Sequence, residues 1–152
     1  MSDVSNDNQL CNLTLLGNLV AKPNIRYRAN PALAITELTL ATHNKWLDKK
    51  TNKMKEWTHY HQVTVLGQLV EQNLQQVEKG DVLLIQGYMT DNKKTSSQSI
   101  TATFVQKFGR GYTESINQLH CSAKIITPIS LMTSEYNKPL AQANVEIHHQ
   151  VY

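Results

Sequence analysis

Cysteine is nearly absent. The 152 residues contain two, Cys11 and Cys121. No Cys-x-x-Cys pair offers a zinc or redox site. In a reducing compartment both thiols read as small buried hydrophobes rather than a disulfide. Charge is sparse too: 18% of residues are Asp, Glu, Lys or Arg, and the formal net charge is +3. So mild an excess does not select a partner by itself. No run approaches the roughly 18 apolar residues of a membrane helix, so no membrane association is expected. The start, MSDVSNDNQ, is polar and lacks a basic region followed by an apolar one, so no secretion signal is read and the cytoplasm is the default location. Catalytic patterns are missing as well. There is no Ser-His-Asp order, no phosphate-cradling glycine loop and no paired carboxylates, while Asp48, Glu56, Glu71 and Glu78 are scattered. Neither an enzyme nor a cofactor is expected. There are no internal repeats.

The informative stretch runs from His43 to Gly67, HNKWLDKKTNKMKEWTHYHQVTVLG. Two strand-like runs flank a loop crowded with Lys49, Lys50, Lys53 and Lys55, and aromatic rings stand at Trp46, Trp57 and Tyr60. Cations hold phosphates without reading sequence, and flat rings give bases a surface to stack on, which is what a single-stranded nucleic-acid groove needs. Lys45 and Lys49 flank Trp46, and Tyr60 alternates with the polar Gln62 and Thr64.

The rest of the chain reads as one domain of mostly strands. Residues 1–9 form a polar, disordered leader, 10–131 the folded domain and 132–152 a tail in which Val145, Ile147 and Val151 suggest at most a short strand. Leu10 to Val20 is strand-like, with Gly17-Asn18 as a bend or bulge. In Leu33 to His43 the apolar parity changes between Ile35 and Leu38, predicting a bulge or a bend. Trp57 to Leu66 is the third strand, with Val63 and Val65 on one face. Val70, Leu74 and Val77 fall on one stripe of a helix predicted over Gln68 to Glu78, with Gly80 as its stop. Val82 to Met89 is a central strand. Ile100 to Phe108 alternates Ile100, Ala102 and Phe104 against Thr101, Thr103 and Val105. One short helix between the third and fourth strands of an all-β domain fits a five-stranded, Greek-key barrel of the oligonucleotide-binding (OB) type. Its second and third strands, with the loops after strands one and four, form the binding face, and the lysine-rich stretch connects the second strand to the third.

At this point the chain resembles the bacterial single-stranded DNA-binding protein family. The resemblance rests on Leu16-Gly17-Asn18-Leu19, Pro23, Ile25-Arg26-Tyr27 and Leu38-Thr39-Leu40-Ala41-Thr42. It continues through Trp46-Leu47-Asp48-Lys49, Met54-Lys55-Glu56, His61-Gln62-Val63, Leu66-Gly67-Gln68-Leu69-Val70-Glu71, Lys79-Gly80 and Ile85-Gln86-Gly87, in family order over about residues 10–90. It implies sequence-independent coating of single strands in replication, repair, recombination or DNA transfer. It also implies a homo-oligomer, with a tetramer favoured and a dimer as the alternative. Trp46 and Tyr60 stand at stacking positions. Arg26, Lys49 and Lys93 fall near backbone-contacting positions, and His61 stands near subunit contacts; Lys50, Lys53, Lys55 and Lys94 are candidate phosphate contacts by their charge alone. Trp57 is an extra ring without a family role.

The departures are specific. Leu66 replaces a stacking Phe, no aromatic residue stands near Lys93-Lys94, and Gln68 takes a basic position. Each lost ring removes about 1–3 kcal/mol of stacking. The last residues, EIHHQVY, carry no acidic tip, so tail-based recruitment of repair proteins is not expected, and the chain looks like an accessory or mobile-element form. Two segments compete for the closing strand, 100–108 and 119–129. The second, LHCSAKIITPI, looks more like the family's final strand. It would make 88–118 a long hairpin after strand four, carrying Lys93, Lys94, Lys107, Arg110 and Tyr112, for wrapping DNA or contacting a neighbouring subunit. Two other functional classes stay open: a protein-docking or primosome-type barrel with weakened DNA binding, and a metal-dependent hydrolase using His59 and His61.

Overall fold

The computed structural model describes residues 10–29, 32–92 and 97–149. The predicted leader, Lys93, Lys94 and residues 150–152 lie outside them. The described chain contains β1 (Cys11–Leu19), β2 (Arg26–Arg28), β3 (Leu33–Asp48), β4 (Lys53–Leu66), α1 (Gln68–Asn73), β5 (Asp81–Asn92), β6 (Ser97–Arg110) and β7 (Ile116–Cys121). Four short strands follow: β8 (Lys124–Ile125), β9 (Ser130–Thr133), β10 (Pro139–Gln142) and β11 (Val145–Glu146). Asn12–Leu119 forms one compact unit, and the described residues flanking it form another. In the flanking unit β9 pairs with β10 and β8 with β11, both antiparallel. No helix among the described residues is long and apolar enough to cross a membrane.

The larger unit holds a closed five-stranded mixed barrel of β1, β3, β4, β5 and β6. β1 pairs with β5 from Leu13↔Gly87 to Asn18↔Val82, and its end crosses to β3 through Asn18↔Ala41 and Leu19↔Leu40. The bend falls where Gly17 was expected to allow one. The Ala41 carbonyl fills the space a Cβ would need, so only glycine lets the two backbones approach. A short parallel contact between β4 and β6, Val63↔Ile100 and Thr64↔Thr101, completes the closure. Closure leaves few unpaired edges.

The core follows from alternation along these strands. Leu13, Leu15, Leu38, Leu40, Val63, Val65, Leu83, Ile85, Ile100 and Val105 are all buried. Val70, Leu74 and Val77 cap one end of it and are at most 1% exposed, as their stripe predicts. Regular helix stops earlier than expected, at Asn73, because Leu74 takes φ −116° and ψ 2°. Leu74 and Val77 therefore reach the core from a turn rather than from a helix.

Three expectations need correction. β3 runs through without a bulge, in unbroken register with β4 from Ile35↔Leu66 to Asp48↔Lys53. The apparent parity change came from Thr36, which is fully buried and satisfies its hydroxyl by donating to the Asn24 carbonyl at 2.8 Å. The closing strand is β6, not 119–129, and 88–118 is therefore not one long hairpin. β6 carries an extra residue, Thr103, between Gly87↔Ala102 and Gln86↔Phe104, so Val105 rather than Phe104 points inward. The sequence alternates without a break here, so the bulge is not visible in it, and it reverses which of the later residues face the core. Finally, Cys121 is exposed, whereas Cys11 is buried as expected.

Candidate nucleic-acid interface

β3 and β4 are long strands, at 16 and 14 residues. They outrun the barrel, and their paired ends project as a two-stranded arm of almost wholly exposed residues from Asn44 to Trp57. A single carboxylate orders the tip. Asp48 Oδ1 accepts the Lys50 N–H at 3.0 Å, and its Oδ2 accepts the Thr51 hydroxyl at 3.1 Å and the Lys55 ammonium at 2.8 Å. The Asn52 N–H closes the turn onto the Asp48 carbonyl at 2.7 Å. Asn52 takes φ 55°, a conformation Asn tolerates better than most residues. The Lys55 ammonium, then the Lys50 N–H, hold the Asp48 carboxyl below its ordinary pKa. Lys49, Lys50 and Lys53 are exposed around this knot.

Cross-strand register sorts the rings onto two faces, because directly opposed residues share a side. Trp46 stands opposite Lys55, Asn44 opposite Trp57 and Thr42 opposite His59, on the side that continues the barrel interior. Tyr60 stands opposite Ala41, with Lys45 opposite Glu56 and Leu47 opposite Met54, on the outer side. The two stacking candidates are thus 40% (Trp46) and 67% (Tyr60) exposed, but on opposite faces of one sheet.

The outer face gains cations from the edge strand. β2 pairs Arg26 with Ile35 and Arg28 with Leu33, so both guanidinium groups fall on the Tyr60 side, and both residues are exposed. Arg28 was not singled out from sequence, although the Arg-Tyr-Arg run at 26–28 carried the signal. Leu66 is half-buried on this same face. Lys55, predicted as a phosphate contact, is exposed and ion-paired with Asp48.

The interior-side face carries a row of rings. Trp57 and His59 lie 6.1 Å apart between centroids, and His59 and His61 lie 6.4 Å apart. Trp57, 60% exposed, thus heads this row. His61 Nε2 meets the Thr42 hydroxyl at 2.9 Å. Burial, and secondarily the charge of His59, pushes the His61 pKa below its ordinary value. A lowered folded value means that the unfolded chain binds the proton more readily. Folding stability carried by neutral His61 is therefore complete above about pH 6.5 and falls as pH drops toward and through the lowered value. Thermal melts between pH 8 and 5 should show that acid loss, and His61→Gln should flatten it. An unchanged slope in the variant would assign the loss to other groups. Among the described residues no group of three or more His, Cys, Asp or Glu is placed to hold a metal ion.

An OB barrel whose second and third strands carry exposed rings and cations defines a nucleic-acid-binding class of fold. The chain belongs to the single-strand binding protein family, whose model matches residues 10–109. Its fold is similar to that of the wild-type single-stranded DNA binding protein from Thermus aquaticus, with TM-score 0.77, 24% identity, and 93% of this chain and 69% of that chain covered. A deletion mutant of the same Thermus aquaticus protein, also substituted R190A, matches with TM-score 0.78 and 24% identity, covering 93% of this chain and 70% of that chain.

Proposed function

We propose that this protein is a non-enzymatic binder of single-stranded DNA that coats exposed strands without regard to sequence. Family membership supports the ligand. The observation that carries the mechanism is the projecting β3–β4 arm, with Trp46 and Tyr60 exposed on its two faces and Lys49, Lys50 and Lys53 exposed at its tip. Arg26 and Arg28 extend the cationic surface on the Tyr60 side of the sheet. Rings supply sequence-tolerant stacking and the cations hold the phosphates. Self-association, with a tetramer favoured and His61 near the contact, and service in replication, repair, recombination or transfer of DNA belong to the same proposal. So do Lys93 and Lys94 as further phosphate contacts, and a cytoplasmic setting.

The test is the affinity for fluorescein-labelled oligo-dT, measured by anisotropy from low to moderate salt. Each phosphate neutralised on a single strand contributes about 0.7 to the slope of log K against log salt. A steep fall with salt and a clear preference over duplex are expected. A flat response, or equal affinity for duplex, overturns the reading in favour of a barrel that docks on protein.

A further inference from the structure

Beyond the arm, one exposed ring lies against a cation. Residues 111–115 follow β6 without regular structure, yet they are tied at both ends. The Asn18 side-chain amide donates to the Gly111 carbonyl at 2.9 Å and to the Gly80 carbonyl at 3.2 Å. At the other end the Ser115 hydroxyl accepts the His43 backbone N–H at 2.8 Å, binding the segment to the root of the arm. Between these ties stands Tyr112, 70% exposed, with the Lys45 ammonium 4.4 Å from its ring centroid. That distance is well inside the roughly 6 Å reach of a cation–π contact.

We propose that Tyr112 and Lys45 form a further single-strand subsite, in which a base stacks on the open face of the Tyr112 ring and Lys45 attracts the adjoining phosphate. The proposal rests on the single-stranded DNA reading and extends its track from the arm to the segment behind β6. The subsite is built rather than incidental in three respects. The ring is mostly in solvent, so a base can reach it. Its backbone is fixed by Asn18 and Ser115, which lowers the ordering cost of binding. Its cation belongs to the arm itself, on the same outer side as Tyr60. Glu56, opposite Lys45, is the one carboxylate the register places beside it, and it is engaged by His43 Nδ1 at 3.0 Å.

The experiment uses the full chain and labelled oligo-dT, with Tyr112→Leu, Tyr112→Phe and Lys45→Ala variants. Leu keeps apolar bulk but has no π-face, so Tyr112→Leu should weaken binding by about 5- to 150-fold, the range set by loss of one stacked base. Tyr112→Phe should bind within about twofold of wild type, because stacking uses the ring and not the hydroxyl. Lys45→Ala should lower the salt slope by about 0.7. An oligonucleotide carrying 5-iododeoxyuridine should cross-link to the peptide containing Tyr112. Wild-type binding with an unchanged Leu variant overturns the subsite and leaves the DNA reading standing. Failure of the wild-type chain to bind oligo-dT removes both. Equal weakening by Leu and Phe also overturns the subsite, since it would assign the role to the hydroxyl.

Discussion

Gly87→Val is expected to destabilise the barrel by about 3 kcal/mol or more, at the upper end of overpacking costs, and to lower its melting temperature by about 10 °C. At this position the Thr101 carbonyl occupies the space a Cβ would need, with Ala102 Cα 3.1 Å from it. Both neighbours are backbone of β6, next to the bulge that turns Val105 inward. A flexible side chain moves aside cheaply; two paired strands do not. Gly109→Val, in the same strand as the bulge, provides the control. Its Cβ would meet nothing within 4 Å, so its melt should stay near wild type. Circular-dichroism melts of both variants check this, and equal melting temperatures would show that β6 can slide to make room.

The Trp46→Ala/Tyr60→Ala double variant is expected to lose about 2–6 kcal/mol of oligo-dT affinity, the sum of two losses of about 1–3 kcal/mol each. Additivity is the discriminating part. The rings lie on opposite faces of the β3–β4 arm and have no contact through which to couple, and separated sites without shared partners usually add within about 0.5 kcal/mol. A strand that engages both rings must pass around an edge of the arm or over its tip. Both singles should then weaken binding while leaving stability near wild type, since both side chains are exposed. A silent single variant would confine DNA to the other face. Anisotropy titrations of the two singles and the double decide among these outcomes.

Much of the barrel was legible because its strands announce themselves locally. Val63 and Val65, and the Val70, Leu74 and Val77 stripe, needed no tertiary knowledge to be placed in the core. Two failures share a physical root: a strand is recognised by alternation, and tertiary pairing can break or mimic alternation. Thr36 looks like a surface residue until Asn24 supplies an acceptor for its hydroxyl. Phe104 looks like a core residue until Thr103 is inserted as a bulge. Cys121 looked buried because small apolar thiols usually are, but its exposure depends on tertiary surroundings that composition does not encode. In the candidate site, ring and cation identities were legible and their sides were not. Parity puts Trp46 and Tyr60 on opposite faces only once the register, Ala41↔Tyr60, is known. Likewise nothing local tells that Lys55 belongs to Asp48, or that residues 111–115 return to His43.

The acidic residue at the summit of this cationic arm has a thermodynamic consequence. A carboxylate among lysines weakens the pull on phosphate, and a loop evolved for attraction alone would omit it. By gathering Lys50, Thr51 and Lys55 around itself, Asp48 removes chain freedom before any ligand arrives. Encounter with DNA then resembles docking of a finished surface rather than folding coupled to binding. The enthalpy and heat-capacity change of association should accordingly reflect stacking and desolvation, without a large contribution from ordering the loop. Some electrostatic attraction is exchanged for a smaller entropic penalty, and one side chain makes the exchange.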